Sequence, residues 1–207
     1  MARIEWKPSN MLYPLPAVLV TCRSPEGKDN VMTAAWAGTI CSDPVMVSVS
    51  IRKERLSYDY IHRSGCYVLN VTTEELAYAV DYCGVRSGRD ENKFKTAHLA
   101  TDEATHINCP MLSASPVSLE CVVKEERDLG SHTMFIAEVA AVHVEDDYLD
   151  EDGRFRLNIA RPIVYSHGEY HALGKRIGKF GWSVRKNQKK GKSDRPRKHS
   201  SKKRETS

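Results

Sequence analysis

"NVMTAAWAGTIC" (residues 30–41) and, just after it, "VMVSVSI" (45–51) decide how this 207-residue chain folds. The second stretch alternates strictly. Val45, Val47, Val49 and Ile51 share one face of a strand, and Met46, Ser48 and Ser50 share the other. The first stretch follows a turn-prone cluster of Gly27, Lys28, Asp29 and Asn30 and reads as one more strand, despite its alanines. A strand that only filled a core would carry bulky β-branched side chains. This one gives Thr33, Ala34 and Ala35, and then Trp36, the largest side chain available.

Working outward, period-two stretches dominate: "AVLVTC" (17–22), "CYVLNV" (66–71), "VSLECVVKEERDL" (117–129) and "TMFIAEVAAVHVED" (133–146), each bounded by Gly, Pro, Ser or Asp. Helical patterns are fewer. "ERLSYDYIHRSG" (54–65) is one, and "TEELAYAVDYCG" (73–84) is the other, with Thr73 before two Glu as its start and Gly84 as its stop. Long returns such as 117–146 predict antiparallel pairing. A mainly β barrel with peripheral helices is therefore the expected architecture, because closure protects strand edges.

At 41% hydrophobic the chain can bury a core. Its net charge of +4 hides an uneven distribution. Residues 183–207 hold 11 Lys and Arg against 2 Asp and Glu, leaving a mildly acidic body of 20 basic and 25 acidic side chains. The expected division is a folded domain over 1–182 and a basic tail over 183–207, too polar to offset chain entropy. Such a tail suits contact with a polyanion or serves only as a solubilising extension, and its lack of aromatics argues against base stacking. Six cysteines lie singly, with no CxxC and no metal-ligand spacing, as in a reduced cytoplasmic protein. Neither a signal peptide nor a membrane-length apolar run is visible, so no membrane partner is expected. The acidic run "EDDYLDEDGRF" (145–155) lacks the ligand order of a calcium loop and reads as a solvated turn. His167 and His171 in "SHGEYHALG" read as strand and turn, so no metal site is expected.

The two opening stretches together offer a shallow surface of Thr, Ala and Ser with "RKER" (52–55) and Ser57 at its rim. A flat ring carrying a phosphate needs such a surface. Small side chains let the backbone approach the ring edge, Arg52, Lys53 and Arg55 can pair with a phosphate, and Ser57 can donate a hydrogen bond at a helix start. Taken singly, the small face also fits a strand crossing or a dimer contact, and "RKER" a solvated turn. Their coincidence within about 30 residues favours a ligand site. No Gly-rich phosphate loop is present.

With "NVMTAAWAG", "SDPVMVSVSI", "LSYDYI" and "GCYVLNV" in this order, followed by "VDYCGVRSGRDENKF", "SPVSLECVV", "GSHTMFIAEVAAVHV" and "PIVYSHGEYHALG", the chain resembles the flavin reductase-like family, particularly its flavoredoxin branch. The likeness spans roughly residues 10 to 180. It implies a Greek-key FMN-binding split barrel, a homodimer, and one FMN per subunit near the subunit interface. By position it implies Thr33, Ala34, Ala35, Trp36, Ser48, Val49 and Ser50 along the ring and ribityl chain. Arg52, Ser57 and Tyr58 would lie near the phosphate, with Ser87, Gly88 and Lys93 also reaching the flavin. Trp36 either shields the ring or packs against the dimer partner. His132 falls near where a nicotinamide would lie, although a plain turn histidine fits the same pattern. The function implied is an FMN-dependent oxidoreductase that uses NAD(P)H to reduce flavin, ferric complexes or another acceptor. The alternative is an FMN electron carrier reduced by a protein partner such as ferredoxin.

Overall fold

The structure is a computed structural model and describes residues 2–184. Among the described residues, twelve strands and three α-helices follow in chain order: β1 Leu15–Pro16, β2 Val18–Arg23, β3 Asp29–Ala34, β4 Ala37–Ser42, β5 Val45–Ile51, α1 Leu56–Ser64, β6 Cys66–Val71, α2 Ala77–Val85, α3 Lys93–Thr96, β7 Thr101–Glu103, β8 Pro110–Leu112, β9 Val117–Asp128, β10 Thr133–Val144, β11 Ile163–Ser166 and β12 Glu169–Ala172.

Seven strands form one antiparallel sheet in the order β3-β2-β6-β9-β10-β5-β4. The stretch read as a single strand over 30–41 is two strands, and they occupy opposite edges of this sheet although only Ala35 and Trp36 separate them. The sheet must therefore curl until its edges meet. At the junction the Ser50 N–H donates to the Trp36 carbonyl at 2.8 Å. Two register shifts between β9 and β10, at Ile136/Ala137 and Val139/Ala141, add the local bend that curvature needs. The result is a mainly β barrel, split along the seam where β3 faces β4 and β5.

The alternation seen in the sequence fills the barrel. Val18, Val20, Met32, Val47, Val49, Ile51, Leu69, Phe135 and Ala137 form the interior, joined by Tyr60 and Ile61 of α1. A second core lies where α2 covers the outer face of β2 and β3, with Leu19, Val31, Val80 and Cys83 among its members. Strand β2 is buried on both faces from Val18 to Cys22, because it lies between the two cores.

Two helix-end expectations are corrected. Thr73 caps a short 3-10 turn, Glu74–Leu76, without a side-chain hydrogen bond. Gly84 does not end α2, which runs to Val85. A Cβ on Gly84 would sit 3.4 Å from the Thr33 Cβ, so this glycine serves the close approach of helix to strand. The acidic run forms a 3-10 turn, Asp146–Tyr148, followed by a tight turn in which Asp150 accepts from the backbone N–H groups of Asp152 and Arg154. "SHGEYH" is the β11–β12 hairpin, with His167 and Gly168 at positive φ in its turn.

One compact unit, which holds the barrel, ends at Leu173. A separate stretch from Gly174 carries one 3-10 turn, Trp182–Val184. Apart from its first two residues, the basic tail lies outside the described residues. No helix among the described residues is long and apolar enough to cross a membrane.

Candidate functional site

A cavity of about 470 Å³ opens at the barrel seam. Strand β3 contributes Met32, Thr33 and Ala34, the β3–β4 junction adds Ala35 and Trp36, and β5 adds Ser50 and Ile51. Here the small residues have a physical reason, since large side chains would close the seam. The Thr33 hydroxyl donates to the Val80 carbonyl, tying β3 to α2. Tyr165 and Tyr170 of the β11–β12 hairpin complete one wall. Their rings meet at 5.8 Å, and Trp36 lies 6.4 Å from Tyr165 with a tilt of 51°. Trp36 thus packs within its own chain, lines the cavity and remains 37% exposed.

A smaller pocket of about 160 Å³ shares Met32 and Arg55 with the first and continues the cleft. Its walls are Asn30, Ser57, Arg86, Ser87, Gly88 and Lys93. Ser57 is fully buried in the first turn of α1 and accepts from the Asn30 side-chain amide at 2.8 Å. The α1 N-terminus carries no side-chain cap, so its opening N–H groups have no partner from that source.

Lys93 is the most telling residue of this pocket. It is only 3% exposed, and its ammonium donates to the carbonyls of Cys83 and Arg86, both at 3.2 Å. An ammonium has three protons to give, and among the described residues no carboxylate pairs with it. Burial lowers its pKa, because a desolvated charge without a counterion is disfavoured. Arg55 and Arg86 likewise form no ion pair among the described residues, so three cations converge on a small pocket beside a helix N-terminus. A dianionic phosphate satisfies all of them, and an apolar ligand would satisfy none.

Of the expected site residues, the larger cavity gathers Thr33, Ala34, Ala35, Trp36, Ser50, Arg52 and His132, and the smaller pocket gathers Ser57, Ser87, Gly88 and Lys93. Arg52 therefore sits apart from Ser57, on the ring-sized side, where it also bonds Glu54 at 3.4 Å. Lys53 leaves the site altogether and pairs with Asp128 at 2.5 Å. Ser48 lines a different depression, between the N-terminal segment and β4. Val49 points into the barrel core, as its place in the alternation requires. Tyr58 stacks on His62 at 5.8 Å and packs toward Phe135, away from both cavities. A helix rotates about 100° per residue, so Tyr58 cannot share the direction of Ser57.

Several lining residues had no sequence signal of their own: Asn30, Met32, Asp81, Arg86, Tyr165 and Tyr170. The hairpin tyrosines lie far along the chain from β3, and only the fold brings them there. Arg55, one of the three rim cations, belongs to both compartments. His132, in the β9–β10 turn, has its Nδ1 2.9 Å from the Ser131 hydroxyl. Partial burial, and then the charge of Arg52, lower its pKa.

A half-open barrel with a planar slot ending in a cationic pocket defines a class of flavin-binding redox proteins, and similarity to known proteins agrees. The family model described as "Flavin reductase like domain" matches residues 10–174, and the chain belongs to that family. An uncharacterized protein of Archaeoglobus fulgidus is 33% identical over 158 residues, which is 76% of this chain and 87% of the relative. Among solved structures, flavoredoxin of Desulfovibrio vulgaris (Miyazaki F) superposes with a TM-score of 0.83 at 28% identity, covering 89% of this chain and all of the other. An FMN-binding protein from Thermus thermophilus shares the fold, with a TM-score of 0.72 at 22% identity over 86% of this chain and 97% of its own. The fold is thus the split barrel, and the chain is a flavin-related oxidoreductase in general terms.

Proposed function

We propose that the chain holds one FMN, its ring in the larger cavity and its phosphate in the smaller pocket, and that it oxidises NAD(P)H to reduce flavin, a ferric complex or another acceptor. The observation that carries the cofactor assignment is Lys93, a buried cation with no carboxylate partner among the described residues, in a pocket of about 160 Å³. In this reading Lys93, Arg55 and Arg86 neutralise the phosphate, and Ser57 and the α1 N-terminus donate hydrogen bonds to it. Trp36, Tyr165 and Tyr170 exclude water from one wall of the slot. Ala34, Ala35 and Ser50 leave the backbone close to the ring edge. His132 in the cavity lining can hydrogen-bond the carboxamide of a nicotinamide, and Arg52 in the same lining favours an anionic substrate. A bound flavin supplies the redox chemistry itself.

Likeness to a flavoredoxin supports a second reading, in which the same FMN is reduced by a protein partner such as ferredoxin. Mixing the yellow protein anaerobically with NADH, NADPH or reduced ferredoxin in a stopped-flow instrument separates the two. Fast bleaching by a pyridine nucleotide supports the reductase, and bleaching by ferredoxin alone supports the carrier.

For the phosphate site, Lys93→Met removes the charge and keeps the stem. The expected outcome is at least ~10-fold weaker FMN binding, the scale of one lost charge-assisted hydrogen bond, with an unchanged circular dichroism spectrum. Unaltered affinity in a folded variant contradicts the assignment. A homodimer belongs to the same proposal, supported by exposed Ile40 and Val45 at the β4–β5 edge, and its check is the mass in solution. So do a cytoplasmic setting and a cofactor domain over 1–182, with the tail from 183 as an arm for polyanions, tested by its deletion.

A further inference from the structure

Outside the lining of both pockets, two thiols meet that the proposed flavin chemistry does not employ. Cys66 opens β6, directly after the Gly65 cap of α1, and Cys109 immediately precedes β8. Their Sγ atoms are 3.5 Å apart, across 43 positions of chain. A disulfide of about 2.05 Å requires only a further closure of roughly 1.5 Å. Cys109 is fully buried and Cys66 half-buried, so one sulfur is open to a small reagent and the other is shielded behind it.

The surroundings fix this approach. Glu120, fully buried in β9, accepts from the backbone N–H groups of Thr105, His106 and Ile107 at 2.7, 2.8 and 3.0 Å, which anchors the segment leading to Cys109. The Arg23 guanidinium adds bonds to Glu103 and Asn108, each at 2.8 Å. On the other side, Cys66 is held by its pairing with Val122 in β9. Both sulfurs are thus positioned by segments anchored to β9.

We propose that Cys66 and Cys109 form a reversible dithiol–disulfide redox site whose oxidant is a hydroperoxide. The Cys66 sulfur, as thiolate, attacks the outer oxygen of the hydroperoxide. The O–O bond breaks, the leaving alkoxide or hydroxide takes a proton, and Cys66 becomes a sulfenic acid. The Cys109 sulfur then attacks the Cys66 sulfur, the S–O bond breaks, and water departs with the Cys109 proton. In sum two thiols and one hydroperoxide give one disulfide, one alcohol (or water) and one water. The electrostatics assign the roles in the same sense. The contact with Cys109, ahead of the opposing effect of burial, lowers the Cys66 pKa, and the same contact raises that of Cys109. Burial pushes Cys22, Cys83 and Cys121 up to about 12, 11 and 12, which leaves them poor nucleophiles.

The test uses the full-length protein, reduced, desalted and then exposed to a few equivalents of hydrogen peroxide, followed by alkylation and peptide mass spectrometry. The expected result is loss of two of the six alkylatable thiols, with the peptides containing Cys66 and Cys109 joined, and their return after dithiothreitol. In Cys109→Ser the reaction should stop at a Cys66 sulfenic acid that a dimedone-type probe captures. Oxidation of Cys66 to the sulfinic acid while Cys109 stays alkylatable would overturn the proposal. So would a bridge through Cys22, a bridge between chains, or six thiols still alkylatable in the wild-type protein.

Discussion

Gly88 shows how much a single missing side chain decides. A Cβ there would lie 2.0 Å from the Asn30 Oδ1 and 3.1 Å from the Leu56 Cδ2. Asn30 cannot move without releasing the Ser57 hydroxyl, so Gly88→Ala should disturb the pocket from behind. We expect a stability loss of about 1–2 kcal/mol in urea unfolding, together with weaker FMN binding. Normal values of both would show that the wall is softer than its packing indicates. At this scale the sequence was legible where chemistry is local. Small residues at 33–35 and Ser50 lie where the cavity needs them, and Lys93 and Gly88 lie in the smaller pocket. It was illegible where long-range partners intervene: Lys53 is drawn off by Asp128, 75 positions away. Tyr58 and Val49 line neither pocket for a different reason, because helix rotation and strand alternation turn both toward the core.

Between elements, the most constrained link is the one from β9 to the 104–109 segment through Glu120. Burial alone would raise this carboxyl's pKa, but hydrogen bonds from the Thr105 N–H, His143, the His106 N–H and the Thr105 hydroxyl outweigh it and hold the value at about 2. A folded pKa below the unfolded 4.5 stabilises the native state at higher pH and loses that contribution as pH falls from about 4.5 to 2. The predicted contribution is about 3 kcal/mol. Glu120→Gln should remove most of it at pH 7 and flatten the acid limb of the stability curve. An unchanged acid limb would refute the role assigned to Glu120. The strand bounds of β5 and β6 followed directly from alternation. The break at Ala35 and Trp36 did not, because a run of small residues has no turn signal. Gly84 was read as a stop, although it marks a close crossing of α2 over β3.

For the whole molecule, the barrel's split seam and its binding slot are the same feature. Strands adjacent in sequence land on opposite edges of one sheet, the edges meet without full pairing, and the gap is lined by the side chains too small to close it. The overall class of fold was legible in the density of period-two segments and their order. The depth of the cleft was not, since its far wall comes from the β11–β12 hairpin and its cationic end from the segment around Arg86 to Lys93. The central claim is that this gap ends in a phosphate grip. Titration of the flavin-free protein with FMN and with riboflavin, which lacks the phosphate, tests it most directly. Riboflavin should bind at least ~100-fold more weakly, the scale of two charge-assisted hydrogen bonds. Equal affinity for the two flavins would contradict it.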